Sequence, residues 1–264
     1  MAAKKIERRV AELREQLEAA SIAYYNEGGS ALSDAEYDGA FRELEELERA
    51  HPELATADSP TQRVGAALPE GGSFDKVAHE VPMLSIDSLF SDEEVRDFEA
   101  GVLRFLKLED GGELEWSCEP KFDGVSASLL YVDGEFVRGL TRGDGAVGED
   151  ITSNLKTVRN LPLVLKTDSP PALLEVRGEV LTERAAFERF NVQRAAREEA
   201  VLANPRNATA GALRRNDPAE VNRYPLLFFA YSVTRVEGVE FAGHGEAMAQ
   251  LEEWGLVDSG LRRR

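Results

Sequence analysis

With 264 residues and 42% apolar side chains, the chain can hold one large domain or two small ones around a real core, which excludes disorder throughout. Its 31 Lys and Arg against 49 Asp and Glu give a net charge of −18, so phosphate backbones are repelled on average, and nucleic-acid contact requires a local basic patch or a partner domain. A single cysteine, Cys118, excludes an intrachain disulfide and a cysteine zinc site. It predicts a reducing compartment, and with no secretory signal and no membrane-length apolar run the expectation is a soluble cytoplasmic protein without a membrane partner.

Apolar positions at Ile6, Val10, Leu13 and Leu17, with Tyr24 one heptad beyond, follow helical spacing until Gly28 and Gly29. A second helix starts at SDAEYD, where Ser33 or Asp34 can cap, and runs through Phe41, Leu44 and Leu47 to Pro52. Residues 1–52 thus read as a helical hairpin. HPELATADSPTQRVGAALPEGGSF, rich in Pro, Gly and small polar residues, reads as a connecting loop. Past residue 110, short strands with turn signals take over. Val125, Ala127, Leu129 and Tyr131 alternate, VDGE supplies an Asp-Gly turn, and Glu135 to Thr141 returns antiparallel. LLEVRGEVL sets Leu174, Val176 and Val180 on one side and Glu175, Arg177 and Glu179 on the other. A helix follows from about Arg184 to Glu198, then a loop LANPRNATAGALRR, an apolar strand LLFFAYSV, and a helix with Ala247, Met248, Leu251 and Trp254 closed by Gly255. The predicted class is α+β, a helical hairpin followed by antiparallel sheets with flanking helices.

CEPKFDG places Lys121 two residues before Asp123 and Gly124. A lysine at a strand end is ordinarily a solvated charge. As a nucleophile it must shed its proton near neutral pH, which calls for cationic neighbours or partial burial, and Arg142, Arg206 and Arg214 are the candidates. A chain of this size carries Lys-x-Asp-Gly by chance in roughly one case in fifteen, so the motif alone decides nothing. In TRGDGAVGEDITSN, glycines at 143, 145 and 148 let backbone amides and Arg142 approach a ligand; the stretch reads equally as an ordinary turn. EVRGE reads also as an exposed strand face, and ANPRNATAGALRR as a helix-capping loop with Arg206 and Arg214 as surface charges. The histidines, His51, His79 and His244, are scattered and are assigned no role.

Taken in order, CEPKFDG, TRGDGAVGED, LEVRGE and ANPRNATAGALR resemble the adenylation domain of bacterial NAD-dependent DNA ligases. Upstream, AYYNEGGSALSDAEYDGAFRELEELERAHPEL is similar to the helical segment that sets NAD users apart from ATP users, and the resemblance continues through DSPTQRVGA and HEVPMLSIDSLF. It implies a nicotinamide-mononucleotide-binding subdomain over 1–70 and an adenylation domain over 71–264. Lys121 matches the lysine that attacks the α-phosphorus of NAD, forming lysyl-AMP and expelling nicotinamide mononucleotide. Glu119 matches the residue that recognises adenine, and Asp123 and Gly124 complete the nucleophile motif. Arg142 and Glu179 match groups around the ribose and phosphate, and Arg206 and Arg214 match arginines near the phosphates and DNA. Tyr24, Tyr25, Asp34, Tyr37 and Asp38 match the pocket for the nicotinamide half, where aromatics and carboxylates suit a cationic ring and ribose hydroxyls; by spacing alone Tyr24 and Tyr37 read as core. Ser85 and Ile86 fall where the family's backbone meets the dinucleotide.

The family carries two further lysine motifs, an Asp-Gly-Val-Val-Ile-Lys strand and a Tyr/Phe-Lys-Phe strand, and neither occurs here; no lysine follows Lys166. The resemblance therefore implies an adenylation domain lacking its C-terminal motifs. Losing even one charge-stabilising donor can cost about 100-fold in rate, so dinucleotide binding is expected to outlast turnover. Nicked duplex DNA is the partner implied for a full-length enzyme of replication and repair, with weak or no binding and no sealing expected of this chain alone. Magnesium is implied by the family chemistry. The alternative is a shortened, catalytically impaired NAD-binding module. A third reading, an ATP-dependent RNA ligase or capping-type enzyme, shares Lys-x-Asp-Gly but lacks the AYYNEGG…SDAEYD pattern.

Overall fold

The computed structural model describes residues 2–22, 32–56, 59–62, 74–108 and 114–263. Two helices, α1 (Ala2–Ile22) and α2 (Asp34–Ala50), bury one stripe each: Val10, Leu13 and Leu17 meet Leu44, with Ile6, Phe41 and Leu47 around them. Ser33 opens α2 with a capping box, its hydroxyl accepting from the Glu36 N–H and the Glu36 carboxylate accepting from the Ser33 N–H at 2.8 Å, a cap worth about 1 kcal/mol. The helix stops at His51, before Pro52, which cannot donate. Glu48 is buried, and it accepts hydrogen bonds from Ser59 (2.6 Å), Thr61 and Arg14 (2.6 Å). These bonds tie the turn at 59–62 to the helical pair.

The larger unit is built on a four-stranded antiparallel sheet in the order β3-β2-β5-β6, from β2 (Val125–Val132), β3 (Glu135–Thr141), β5 (Leu173–Leu181) and β6 (Leu227–Glu237). One face is apolar. Ala127, Leu129, Tyr131, Leu174, Val176 and Val180 are all fully buried beneath side chains from α4 (Thr152–Leu155), α5 (Arg184–Ala196), α7 (Pro218–Val221) and α8 (His244–Glu253). Gly178 sits on this face where a Cβ would enter the Phe228 ring and the Phe229 carbonyl oxygen, so only glycine lets β6 approach so closely. The predicted hairpin and the alternation in LLEVRGEVL agree with this sheet.

The other face carries Ser126, Glu179, Arg177 and Glu175. Glu175 and Glu179 are buried, so of the two readings of EVRGE the exposed strand face is set aside, and the face is covered. The cover is the segment from His79 to Ser85, held by the N–H of His79 on the Ala146 carbonyl (2.8 Å), that of Met83 on Gly145 (2.8 Å), and the Arg177 guanidinium on the carbonyls of Pro82 (3.0 Å) and Val81. The Gly-rich stretch that grips it is a tight turn with Gly143 and Gly145 at positive φ (58° and 90°), leading into β4 (Val147–Glu149), which pairs antiparallel with β1 (Lys76–Ala78).

Two further elements differ from the sequence reading. LANPRNATAGALRR is not a loop: residues Pro205–Leu213 form α6, opened by Asn204, whose side chain accepts from the Asn207 N–H at 2.7 Å, with Pro205 in the first turn. A helix that the periodicity did not single out, α3 (Asp92–Phe105), starts at the Ser91 cap. Val95, Phe98 and Phe105 on it are 52%, 52% and 85% exposed. Arg42 links α2 to this region, pairing with Glu94 at 2.9 Å and lying 4.5 Å above the Phe90 ring centre.

Candidate active site

The nucleophile motif lies on an extended stretch clamped at both ends. Cys118 exchanges two backbone hydrogen bonds with Arg263 (2.8 and 2.9 Å). At the other end the Gly124 N–H donates to Glu179 Oε1 at 3.1 Å. Gly124 is required by this approach, because a Cβ would overlap the Val180 carbonyl oxygen and lie 3.0 Å from Glu179 Cγ. Between the clamps the Phe122 ring packs on Phe229, with centres 5.4 Å apart. The stretch is thereby fixed on either side of Lys121.

Lys121 lines a cleft of about 530 Å³, together with Ile86, Glu119, Asp123, Gly124, Arg142, Glu179, Arg206 and Arg214. Residues separated by up to 128 positions therefore meet in one place. Ser85 stands at its rim, accepting a hydrogen bond from the Arg142 guanidinium at 3.1 Å. Lys121 is an exposed residue, yet its charge acts on Glu179. The cleft gathers one lysine and three arginines against Glu119, Asp123, Glu149 and Glu179, so it is locally balanced in a chain of charge −18. An anionic ligand is repelled less there than by the surface at large.

Glu179 is the most perturbed carboxylate of the cleft. Its position opposite Ser126 in the β2–β5 register lets Ser126 donate to Oε2 at 2.8 Å. Burial drives its carboxyl up to about 7, opposed by the Ser126 hydroxyl, the Lys121 charge and the Gly124 N–H, and assisted by Asp123. Arg206, on the first turn of α6, pairs with Asp123 at 3.2 Å, and burial lowers its guanidinium to about 10. It remains a cation at neutral pH. Arg214 closes the same helix at its C-cap, so the two ends of α6 aim two cations at one cleft.

The structure also brings in residues that the sequence did not mark. Ser126, Glu149, Tyr231 and His244 all line the cleft. Burial raises the Tyr231 hydroxyl. His244, to which no role was assigned, places Nε2 2.6 Å from Glu119 Oε1, a contact across 125 residues that no local signal could disclose. Ser126 was recoverable from the strand register, since it faces Glu179 directly.

The residues matched to the nicotinamide pocket are placed differently. Tyr24 and Tyr25 lie outside the described residues, as does the Asp34 side chain. Tyr37 packs against the core of the helical pair, its ring 6.3 Å from that of Phe41. Neither Tyr37 nor Asp38 lines the cleft. Among the described residues no helix is long and apolar enough to cross a membrane, and no group of three or more His, Cys, Asp or Glu could hold a metal ion.

Residues 71–263 match the family model described as NAD-dependent DNA ligase adenylation domain, and residues 3–65 match DNA ligase-like, N-terminal NAD+-binding domain. The DNA ligase of Geobacter sulfurreducens is 49% identical over 255 residues, covering 97% of this chain and 38% of that protein. That of Geotalea uraniireducens is 46% identical over 258 residues, covering 98% and 38%, and that of Xanthomonas axonopodis pv. citri is 48% identical over 254 residues, covering 96% and 30%. The chain thus spans well under half the length of these relatives. With both family models matched in order and the motif lysine standing in a cleft of arginines and carboxylates, the chain belongs to the bacterial NAD-dependent DNA ligase family.

Proposed function

We propose that this chain binds NAD as a substrate and carries the lysine that takes up its AMP. The observation that carries the reading is the convergence of Lys121, Arg142, Arg206 and Arg214 on one cleft large enough for a nucleotide. In the proposed step the Lys121 amine, having lost a proton to solvent, attacks the adenylyl phosphorus. A P–N bond forms, the P–O bond to the bridging oxygen breaks, nicotinamide mononucleotide leaves with that electron pair, and the nitrogen sheds a second proton. Arg142, Arg206 and Arg214 offset charge on the phosphate oxygens. Glu119 recognises adenine, and Glu179 with Asp123 and Gly124 surrounds the sugar and nucleophile. Tyr24, Tyr25, Asp34, Tyr37 and Asp38 hold the nicotinamide half, within a subdomain of residues 1–70 beside an adenylation domain of 71–264. Ser85 and Ile86 approach the dinucleotide from the covering segment.

Magnesium, implied by the family chemistry, would offset charge on the dinucleotide phosphates, and Glu179, whose oxygens accept from the Gly124 N–H and the Ser126 hydroxyl, is the cleft carboxylate that would face it or its waters. In the whole ligase the AMP would pass to the 5′-phosphate of a nick in duplex DNA. A second reading, a module that holds NAD with impaired turnover, is favoured by one observation: among the described residues lining the cleft, Lys121 is the one lysine.

Intact-mass measurement after incubation with NAD and magnesium tests both. A gain of one AMP in the wild type that disappears in Lys121→Arg supports the first reading. NAD binding by calorimetry with no mass gain supports the second, and a wild type that neither binds nor gains mass overturns both.

A further inference from the structure

We propose that His244 is a positioning residue for Glu119 and, through it, sets the base selectivity of the cleft. This rests on the role given to Glu119 above. A carboxylate only accepts hydrogen bonds, so the 2.6 Å contact between His244 Nε2 and Glu119 Oε1 requires the proton on Nε2. The Ser117 hydroxyl donates to the same oxygen at 3.3 Å. Among the described residues no hydrogen bond reaches Oε2, so that oxygen is the one offered to a ligand. Glu119 and Lys121, two residues apart on one clamped stretch, both line the cleft, so a nucleotide with its phosphorus at Lys121 has its base within the carboxylate's range.

His244 is well placed to act as a fixed donor. It opens α8, whose Ala247, Met248 and Leu251 are buried in the core of the sheet unit, so the imidazole is carried on a rigid element. The side chains of His244 and Glu119 are 38% and 23% exposed, and a pair so accessible adds little to folding stability. Its effect is on direction. A swinging carboxylate makes a poor partner for one particular amine, whereas a carboxylate with one oxygen occupied presents the other at a set angle. Adenine offers an exocyclic N–H donor to that oxygen. Its deaminated counterpart, hypoxanthine, offers a carbonyl oxygen there and sets two acceptors against each other.

The test compares binding of NAD and nicotinamide hypoxanthine dinucleotide by calorimetry in the 264-residue wild type, His244→Ala and His244→Gln. Wild type should prefer NAD by about tenfold or more. His244→Ala should weaken NAD by about tenfold, leave the deaminated dinucleotide unchanged, and melt at the same temperature as wild type. His244→Gln, whose amide can donate from nearly the same place, should restore the preference. An alanine variant that keeps the wild-type ratio, or weakens both dinucleotides equally, overturns this inference and leaves the proposed function standing. A wild type that binds both equally removes the role of Glu119 and the inference with it, and one that binds neither removes the proposed function as well.

Discussion

Glu179→Gln should raise the stability of the chain at alkaline pH while disabling the cleft. Folding lifts this carboxyl from its ordinary 4.5 to about 7, chiefly through burial. Between those two values the folded state binds more protons than the unfolded one, so stability falls as pH rises through the window. Below about 4.5 both states are protonated and the penalty vanishes; above about 7 it is complete. A displacement of this size corresponds to about 3 kcal/mol, or about 10 °C in melting temperature for a chain this long. Glutamine keeps an acceptor for the Gly124 N–H and can meet the Ser126 hydroxyl with its amide, so the hydrogen bonds survive and only the titration is lost. Urea melts of both proteins from about pH 4 to 8.5 should converge at the acid end and separate progressively as pH rises, the variant being the more stable. A difference independent of pH, or one of opposite sign, would refute the assignment of a neutral-pH titration to Glu179. Lysine adenylation in the same variant should fall by about 100-fold, which would mark a carboxylate retained at the expense of stability.

Glu48 should behave in the opposite sense. Burial acts to raise its carboxyl, but the hydrogen bonds from Ser59, Thr61 and Arg14 outweigh that and hold it below the ordinary carboxylate range. Its contribution is full above about 4.5 and is lost as pH falls through the depressed value, so Glu48→Gln should destabilise the helical pair by about 2 kcal/mol at pH 7 and converge with wild type in acid, as followed by circular dichroism. Gly178→Ala should cost about 1–3 kcal/mol by driving a methyl into Phe228, and an unchanged urea midpoint would contradict the close approach of β6. Arg206→Ala removes the cation that pairs with Asp123 and should weaken NAD about tenfold by calorimetry; undiminished binding would remove Arg206 from the phosphate site.

Much of the framework was readable because it rests on local signals. Two-residue alternation and an Asp-Gly turn fix the hairpin of β2 and β3, and Ser33 followed by Glu36 announces the start of α2. The helix α6 also had its signal, Asn204 followed by Pro205, but the small residues Ala208, Ala210, Gly211 and Ala212 show little apolar periodicity, so the stretch passed as a loop. The face carrying Glu175, Arg177 and Glu179 resembled an exposed strand because alternation cannot tell a solvated polar face from a polar cleft wall. What covers it is the stretch around Val81 to Ser85, about 95 residues upstream of Arg177. The motif lysine and arginines were recoverable by resemblance. His244 was not, since a lone histidine at the start of a helix carries no mark of the carboxylate it meets in space.

Cys118 is exposed, is the chain's one thiol, and sits three residues before Lys121 on the clamped stretch. A maleimide fluorophore would therefore attach at one known point without any engineered substitution. Because the backbone there is held by Arg263, changes in its emission would report events in the neighbouring cleft rather than wandering of the label's own anchor, giving a direct optical readout of nucleotide arrival.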